Sequence, residues 1–393
     1  MKTAYIIKGY RTAVGKAPRG SLRFTRPDVM AATVIEKLMQ ELPQLEQNQI
    51  DDLIVGNAMP EAEQGLNVAR LISLMGLNTN KVPGVTINRY CASGSEAIAI
   101  ASAKIQSSMA DCIIAGGTES MSYIPMGGYK PVPEVNMAKN HPDYYWGMGY
   151  TAEEVAKRYK ISRQEQDEFA FDSHQKALSA MEKNVFANQV VSVPVEYNFL
   201  DENQELQTLK YDFSVDEGPM RETSLEKLAR LKPVFSKDGS VTAGNSSQMS
   251  DGAAFVVIVS EEKLKELNIE PEARLVAYAT AGLEPRIMGM GPVYAIPKAL
   301  KQAGLNLKDI GLIELNEAFA SQSVAIKKEL ELDPGILNVN GGAIALGHPL
   351  GCTGTKLTVQ LIDEMKKRKI QYGLVSMCVG TGQGAASIIE CLK

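Results

Sequence analysis

The stretch Leu53-Ile-Val-Gly-Asn57, followed by Cys91-Ala-Ser-Gly94, decides the fold because the chain contains this arrangement twice. The second copy reads Leu312-Ile-Glu-Leu-Asn316, followed by His348-Pro-Leu-Gly351. Cys91 lies 34 positions after Asn57, and His348 lies 32 positions after Asn316. Matched landmarks at nearly constant spacing indicate two stacked copies of one structural unit.

The pattern of apolar residues gives both halves the same predicted order of elements, βαβαβαββ. In the first half it predicts strands at 4–7, 53–55, 85–87, 112–115 and 254–259, and helices after an N-cap at Asp28, at 67–75 and at 91–109. In the second half it predicts strands at 275–279, 312–315, 336–339, 374–377 and 386–389, and helices at 294–303, 317–330 and 353–367. This alternation predicts mostly parallel sheets covered by helices.

Two like halves predict a pseudo-twofold axis, near which residues that open corresponding helices face one another. Cys91 and His348 hold such positions, so we expect them to meet. Residues 118–247 have no counterpart in the second half and are predicted to form an inserted loop domain that contacts substrate, with helices at 151–160 and 163–183. The N-terminal domain would then comprise 1–117 and 248–272, and the C-terminal domain 273–393.

Composition and charge exclude several classes of protein. With 393 residues, 45% apolar and 22% charged, the chain is long enough for two or three globular domains. Its longest apolar runs are strand-sized, which predicts no membrane span, and its net charge of −5 without a basic stripe predicts no nucleic-acid partner. Five cysteines without a signal-like N-terminus predict free thiols in a reducing compartment, and therefore a cytoplasmic protein.

Cys91 is the candidate nucleophile because it lies between a predicted strand and a predicted helix. Helix N-termini carry unpaired amides and partial positive charge, so we expect the pKa of this thiol to be lowered. A small buried residue at a tight turn is the alternative interpretation of a lone cysteine. The matched histidine in the second half favours the nucleophile.

Three further residues form a candidate catalytic group with Cys91. His348 opens a helix within the glycine-rich stretch 338–354, where it can take the proton of a thiol or donate to an oxyanion; a helix-capping role is the alternative. Cys378 ends a predicted strand before a glycine-rich loop, so it offers a second thiol as acid and base. Asn316 also closes a strand, and its amide can hold a water or a carbonyl oxygen.

The remaining cysteines and histidines are predicted to have no catalytic role. Cys112 and Cys391 lie in apolar strand runs and are expected to be inert, and Cys352 is expected to pack against its neighbours. His141 and His174 lie in the inserted stretch and are expected on the surface. Three scattered histidines without metal-ligand spacing predict no metal site.

In order along the chain, these motifs resemble the thiolase family over its full length. They are Asn88-Arg-Tyr-Cys-Ala-Ser-Gly94, Gly244-Asn-Ser-Ser-Gln-Met-Ser-Asp-Gly252, Asn316-Glu-Ala-Phe319, Gly341-Gly-Ala-Ile-Ala-Leu-Gly-His-Pro349 and Cys378-Val-Gly-Thr-Gly-Gln-Gly384. The resemblance implies a five-layer α-β-α-β-α fold and a homodimer or homotetramer. It also implies CoA, acetyl-CoA and 3-ketoacyl-CoA as substrates, with no tightly bound cofactor.

The resemblance implies a role for each site residue. Cys91 would take the acyl group, His348 would activate it and donate to the first thioester oxygen, and Cys378 would move the other proton. Asn316 would hold a catalytic water, and the amides of Cys91 and Gly380 would form the second oxyanion hole. The residues around the pantetheine chain would be Ser247, Phe235, Met148, Ala318 and Phe319.

The implied reaction is CoA-dependent thiolysis of a 3-ketoacyl-CoA, as in fatty-acid β-oxidation. An acetoacetyl-CoA-specific acetyltransferase and a catalytically silent binding module are the alternatives. Decarboxylating condensing enzymes use a Cys with two His, and the presence of Asn316 and Cys378 favours a thiolase over them.

The stretches 121–128 and 347–352 resemble the degradative branch, as does Gly147 before Met148, where the biosynthetic branch often has a histidine. Aromatic residues between 123 and 150 could line a long acyl channel, or equally pack the loop domain. Met220 replaces a basic residue of many relatives, so Arg221 or Lys227 would contact the CoA phosphates.

Overall fold

Strands and helices alternate along the chain, as the periodicity predicts. The computed structural model describes residues 2–392, so Met1 and Lys393, which end the predicted N- and C-terminal domains, lie outside the described residues. The strands are β1 (Ala4–Thr12), β2 (Gly15–Lys16), β3 (Asp52–Gly56), β4 (Gly84–Ile87), β5 (Cys112–Ser120), β6 (Val190–Val191), β7 (Val193–Leu200), β8 (Leu206–Phe213), β9 (Ser250–Ser260), β10 (Ala273–Gly282), β11 (Leu312–Leu315), β12 (Tyr372–Val379) and β13 (Gln383–Cys391). The helices are α1 (Pro27–Glu41), α2 (Val68–Gly76), α3 (Ser93–Gln106), α4 (Val135–Asn140), α5 (Met148–Arg158), α6 (Arg163–Glu182), α7 (Leu225–Ala229), α8 (Glu261–Leu267), α9 (Gly291–Ala303), α10 (Ala320–Glu329), α11 (Ala343–Leu346) and α12 (Leu350–Arg368).

The strands of the two halves follow the same spatial order. The first half is ordered β4-β3-β5-β9-β1, and the second is ordered β11-β12-β13-β10. Directions match as well: β3 and β5 are parallel like β11 and β12, while β9 is antiparallel to β5 and β1 just as β13 is to β12 and β10. The pair Ile6 and Ala273 joins both sets into one 11-stranded sheet. This repeated order confirms the duplicated α/β fold.

Two features of the sheet differ from the predictions. It is mixed rather than mostly parallel, because β12 turns back into β13 through a short loop and strands joined in this way run antiparallel. The predicted strand at 336–339 is also wrong, since in this stretch only Leu337 forms a bridge, with Ile313. The side chain of Asn338 bonds the N–H and C=O of Leu315 at 2.8 and 2.9 Å, so a side chain replaces the ladder bonds of a strand.

Several helices begin at residues other than those predicted. Helix α1 begins at Pro27 with Arg26 as its N-cap, so the N-cap role predicted for Asp28 is wrong. Asp28 lies in the first turn instead, where its carboxylate bonds Arg26 at 2.8 Å. A 3-10 turn over Tyr90–Ala92 precedes α3, which moves the start of the α-helix beyond Cys91. Helices α10 and α12 begin at 320 and 350 rather than at 317 and 353.

Three groups of helices and two sets of strands form five layers. Helices α3 and α12 lie between the two sets of strands and share one apolar core with them, which includes Ile98, Leu357, Ile113 and Val375. Helices α1 and α2 cover the outer face of the first half, and α9 and α10 cover the outer face of the second. The layer order is therefore α-β-α-β-α, as the family resemblance implied.

The two central helices approach each other closely at their first turns. A Cβ atom on Gly94 would lie 2.7 Å from the backbone N of Thr355 and 3.0 Å from the carbonyl oxygen of Gly351. A Cβ atom on Gly351 would lie 2.7 Å from Cα of Asn57. Only glycine permits this approach, and it brings the helix starts that follow Cys91 and His348 together at the pseudo-twofold axis.

The inserted stretch contributes its own helices, α5 and α6, which confirms the two helices predicted there. It also holds the two-stranded sheet β7-β8, while its short strand β6 pairs with β1 of the core. The division of the chain into three domains at 118, 248 and 273 stays a prediction.

Candidate active site

Cys91 lies buried at the entrance to α3, in the apolar cluster that also contains Ala58, Met121 and Leu350. Its own backbone N–H and that of Gly380 lie close enough to the thiol to lower its pKa. These are the two amides predicted to form an oxyanion hole. Their proximity to the sulfur means that an oxyanion formed on a group bonded to Cys91 would find donors already in place.

The pKa of the Cys91 thiol is raised, not lowered as the helix position predicted. Burial raises it to about 12, and the two amide donors offset only part of this effect. The prediction is wrong because the loss of water around a fully buried sulfur outweighs the partial charge at a helix N-terminus. The Cys91 thiol is therefore neutral at rest, and the nucleophilic role predicted for it would require a base.

His348 can supply that base. Its Nδ1 lies 2.6 Å from the hydroxyl oxygen of Thr353, which itself donates to the carbonyl of Pro349 at 2.8 Å. The hydroxyl oxygen therefore accepts from Nδ1–H, which makes Nε2 the acceptor nitrogen of the ring. Burial, assisted by the charge of Lys356, lowers the pKa of His348 to about 3. The imidazole is thus neutral near pH 7 and able to accept a proton.

Asn316 lies beside that acceptor nitrogen at the end of β11. Its Nδ2 is 3.3 Å from Nε2 of His348, and its backbone N–H donates to Ser376 at 2.9 Å. Its Oδ1 is buried, and no group within residues 2–392 forms a hydrogen bond with it. Buried polar atoms normally have partners, so this oxygen fits the predicted contact with a water or a substrate group.

Cys378 brings a second sulfur to the same place. It lies buried near the end of β12, packed with Ala318 and Phe319. Burial raises the pKa of its thiol, and ionisation of Cys91 would raise it further. The two sulfurs are therefore close enough to interact electrostatically, and both are neutral at rest.

A channel leads from the surface to His348, the member of this group that lines it. Its inner part is a cavity of about 360 Å³ that reaches His348 and Leu350. All five residues predicted to surround pantetheine line this cavity, namely Ser247, Phe235, Met148, Ala318 and Phe319. Its outer part, about 690 Å³, shares Phe235 and Ser247 with the inner part. A long, flexible ligand could therefore extend through both.

The surface position predicted for His174 is wrong. It is buried, its Nδ1 accepts the backbone N–H of Met220 at 3.2 Å, and it lines the outer cavity. The polar sequence of α6 gave no sign of this, because the covering segment lies far along the chain. His141 is exposed as predicted and stacks on Tyr144.

The other cysteines are buried away from the cavity linings. Cys112 and Cys352 both have thiol pKa values raised to about 12 by burial, and Cys391 is buried at the end of β13. Packing positions of this kind fit the inert roles predicted for them.

Sequence reasoning missed one buried carboxyl group, that of Glu119, whose pKa is raised by burial. Glu119 is the residue before the last of strand β5, and its Oε2 accepts backbone N–H groups from Ala58 and Gly351, both at 2.8 Å. A charged residue at the end of an apolar strand run is the signal that could have indicated it.

Residues 2–392 contain neither a candidate metal-binding cluster nor a helix that could cross a membrane. Within residues 2–392, no group of three or more His, Cys, Asp or Glu side chains is arranged to hold a metal ion. No helix in this range is both long and apolar enough to span a bilayer.

A buried thiol beside two amides, a neutral imidazole, a second thiol and a channel from the surface are the groups that acyl transfer through a cysteine requires. Comparison with known proteins gives the family. The model of the thiolase N-terminal domain matches residues 4–262, and that of the thiolase C-terminal domain matches residues 269–391. The chain belongs to the thiolase family.

Individual relatives agree with this assignment. A 3-ketoacyl-CoA thiolase of Bacillus subtilis (strain 168) is 50% identical over 99% of the chain and 100% of the relative. The peroxisomal 3-ketoacyl-CoA thiolase A of Mus musculus is 42% identical over 98% of the chain and 90% of the relative. The crystal structure of a Bacillus anthracis acetyl-CoA acetyltransferase is 39% identical, with a TM-score of 0.89 over 100% of this chain and 99% of that one.

Proposed function

We propose that the chain catalyses CoA-dependent thiolysis of 3-ketoacyl-CoA thioesters through an acyl-Cys91 intermediate. The observation that carries the proposal is the close approach of the two helix starts that follow the buried Cys91 and His348, where Cys91 packs with Leu350. The amide of Gly380 and the thiol of Cys378 lie near enough to Cys91 for their pKa effects to be felt between these groups. This arrangement provides a nucleophile, a base, an oxyanion site and a separate acid, which are the four functions that the reaction requires.

In the first half of the reaction His348 takes the thiol proton through Nε2, and the sulfur attacks the 3-keto carbon. The amides of Cys91 and Gly380 stabilise the resulting oxyanion. The bond between C2 and C3 then breaks, and its electron pair forms the enolate of acetyl-CoA. The protonated His348, with a water held by Asn316, stabilises the enolate oxygen, and Cys378 gives its proton to the enolate carbon.

In the second half free CoA collects the shortened acyl chain. The Cys378 thiolate removes the proton from the CoA thiol, and the CoA sulfur attacks the acyl-Cys91 carbonyl. The same two amides stabilise this second oxyanion, and its collapse releases the Cys91 sulfur, which regains its proton from His348. Each side chain returns to its starting protonation state, so coenzyme A acts as a substrate and no resident cofactor is consumed.

The lining of the inner cavity favours acyl chains longer than acetoacetyl. Besides the predicted pantetheine residues, it carries the flexible apolar side chains of Met121, Met126, Met249 and Leu350, with Tyr150 at its edge. Flexible methionines accommodate apolar ligands of different shapes. Of the aromatic residues considered for an acyl channel, Tyr150 lines this cavity. The ring of Trp146 is tilted relative to that of Tyr150, with 6.5 Å between the two ring centroids.

The test compares thiolysis of acetoacetyl-CoA with that of six-, eight- and sixteen-carbon 3-ketoacyl-CoAs by the purified protein. We expect the longer chains to give the higher kcat/KM. Activity confined to acetoacetyl-CoA would instead identify an acetyl-CoA acetyltransferase, the activity named for the structurally similar Bacillus anthracis protein. No turnover of any substrate would contradict both functions.

For the CoA phosphates we propose Lys227 rather than Arg221. Both side chains pair with a surface glutamate, Lys227 with Glu222 at 3.4 Å and Arg221 with Glu182 at 3.0 Å, but Lys227 also lines the outer cavity and Arg221 does not. Replacing a phosphate contact weakens ground-state binding, so Lys227→Met should raise KM for CoA several-fold at unchanged kcat. Arg221→Met is the matched control and should change neither constant. If Arg221→Met raised KM for CoA and Lys227→Met did not, the phosphate contact would belong to Arg221.

We propose that two copies of the chain associate through the edge strand β4 and helix α2. This face exposes Leu66, Leu71, Leu74, Met75 and Val85, and β4 is the last strand of its half of the sheet. An apolar patch at a sheet edge is typical of a subunit interface. Sedimentation equilibrium should give a dimer or a dimer of dimers, and Leu74→Glu should shift it toward monomer. Leu206→Glu, on exposed strand β8, should not.

We also propose a cytoplasmic location. Two reacting thiols, Cys91 and Cys378, must stay reduced for every turnover, which favours a compartment that keeps thiols reduced. Fractionation of the source cells, with detection of the chain by antibody, tests this location. Recovery outside the cytoplasmic fraction would contradict it.

A further inference from the structure

Arg89 lies two residues before Cys91, and its partly buried guanidinium has no role in the reaction scheme. Its Nε and Nη2 donate to the two carboxylate oxygens of Glu96 on α3, at 2.5 and 3.1 Å. Glu96 is itself fixed by the hydroxyl of Tyr278 on β10, which donates to Oε2 at 2.6 Å. Because the guanidinium is planar and is held at two points, the direction of its remaining N–H groups is fixed as well.

The third nitrogen of Arg89 reaches the loop that contains Gly380. Nη1 donates to Oε1 of Gln383, the first residue of β13, at 3.0 Å. The side-chain Nε2 of Gln383 donates to the carbonyl of Gly380 at 3.4 Å, and the hydroxyl of Thr381 donates to the same carbonyl at 2.6 Å. Arg89 is therefore connected, through one glutamine, to the residue whose backbone N–H is proposed to stabilise the oxyanion.

The 3-10 turn over Tyr90–Ala92 lies beside the same loop. A Cβ atom on Gly380 would lie 3.6 Å from Cδ2 of Tyr90. Tyr90 has a positive φ of 43°, which few residues other than glycine adopt. Its N–H donates to Oδ1 of Asn88, and its carbonyl accepts the hydroxyl of Ser93, both at 2.7 Å. The turn is thus held in a strained shape next to the loop, and a side chain that spans the two fixes their separation.

The repeated fold does not require this bridge. When Cys91 is matched with His348, the positions that correspond to Arg89 and Glu96 hold Leu346 and Thr353. Leucine and threonine cannot form an ion pair, yet α12 begins two residues after His348 just as α3 begins two residues after Cys91. The bridge is therefore a feature of the half that carries the candidate nucleophile.

We propose that Arg89 is a positioning residue for the oxyanion hole. Glu96 anchors its guanidinium, and Gln383 links it to the loop. The bridge thereby sets the separation between the backbone N–H groups of Cys91 and Gly380. The inference rests on the proposed function in taking Cys91 as the nucleophile and these amides as its oxyanion donors. Such donors act only where their spacing fits the developing oxyanion, so a small displacement slows acylation and leaves the thiol itself unchanged.

The test compares two reactions of Cys91, of which only one passes through an oxyanion. p-Nitrophenyl acetate acylates the thiol through a tetrahedral oxyanion and releases p-nitrophenolate, whereas iodoacetamide alkylates it by direct displacement of iodide. Mass spectrometry of the Cys91 peptide, in the absence of CoA substrates, gives both rates. Arg89→Met should lower the acylation rate about tenfold and leave the alkylation rate unchanged. Arg274→Met removes another partly buried arginine, one paired with Glu390, and should change neither rate.

A second variant tests the link to Gly380 without removing the arginine. Gln383→Glu keeps an acceptor for Arg89, but it replaces the N–H donor with an oxygen that repels the carbonyl of Gly380. It should also lower the acylation rate about tenfold, and the double variant with Arg89→Met should be no slower than either single variant. Losses that multiply to about a hundredfold would overturn the proposal, because Arg89 would then not act through Gln383.

A merely structural role for Arg89 would lower the melting temperature and change the acylation and alkylation rates in the same proportion, and that result would overturn the proposal. Gln383→Glu decides the question even where Arg89→Met does not fold, since an unchanged acylation rate in that variant would also overturn it. Neither reagent is a CoA thioester. Failure of the proposed function would therefore appear separately, as absent thiolysis by a protein whose acylation and alkylation rates follow the expected pattern.

Discussion

Asn57 and Asn316 hold matched positions in the two halves, yet their surroundings differ. Asn57 is satisfied at both ends: its Nδ2 donates to the carbonyl of Thr118 at 2.9 Å, and its Oδ1 accepts from Gln64 at 3.4 Å. Asn316 faces His348 through Nδ2, and its Oδ1 has no partner within the described range. The same residue is therefore structural in one half and available to a ligand in the other.

The difference follows from what the neighbouring strand brings to each asparagine. In the first half Glu119, the residue before the last of β5, bonds Gln64 and nearby backbone amides in a closed network. In the second half the residue before the last of β12 is Cys378, so the equivalent space holds a thiol instead of a carboxyl group. The two halves thus place their matched asparagines in similar backbone surroundings, which we call the two frames. The candidate site lies in the second frame, where Oδ1 of Asn316 has no partner within residues 2–392.

The largest effect should come from Cys91, the candidate nucleophile in the first half. We expect Cys91→Ser to lose covalent acylation and roughly 10⁴-fold or more in kcat, because a buried hydroxyl is a far poorer nucleophile than a thiol. Mass spectrometry after incubation with acetyl-CoA detects the acyl group. Cys352→Ser, a substitution of another buried cysteine on α12, should still be acylated. Acylation of the Cys91→Ser protein would reassign the nucleophile.

The second sulfur should separate the two half-reactions. Cys378→Ala should still accept an acyl group on Cys91, but it should not exchange the methyl protons of acetyl-CoA with deuterated solvent. The expected loss in overall turnover is about 10²–10⁴-fold, the usual contribution of a general acid and base. Nuclear magnetic resonance follows the exchange directly. Normal proton exchange would exclude the role given to Cys378.

The pair of asparagines tests the comparison most directly. Asn316→Ala should lose about 10²-fold in kcat with little change in stability, since its amide is proposed to act on the reacting groups. Asn57→Ala should instead lose about 1–3 kcal/mol of unfolding free energy, because it leaves buried partners unsatisfied. Urea denaturation and steady-state kinetics on both proteins measure the two effects. Similar behaviour of the two variants would remove the distinction between the frames.

The smallest effect should come from the hydroxyl that orients His348. Thr353→Val removes the acceptor at Nδ1, so a fraction of the imidazole would carry its proton on Nε2, and kcat should fall about tenfold. Thr358→Val, on the same helix, removes only a bond to the carbonyl of Gly354 and is the control. Equal activity in the two variants would show that the Thr353 bond does not select the tautomer.

Local patterns in the sequence predicted the features that local rules determine. The duplication was indicated by the strand and helix periods together with the repeated landmarks. The same spacing placed Cys91 and His348 near the starts of corresponding helices. The sign of the Cys91 pKa could not be predicted in this way, because it depends on how completely distant segments cover the sulfur. His174 and Glu119 escaped notice for the same reason, since their partners lie in other parts of the chain.

The shared middle layer has a consequence for how the chain acquires its structure. Helix α3 belongs to the first half and α12 to the second, yet both contribute to one apolar core between the sheets. A half-chain folded alone would expose its side of that core to water, at a cost proportional to the apolar area left uncovered. The two halves therefore depend on each other for stability, and the cooperative folding unit is the pair rather than the repeat.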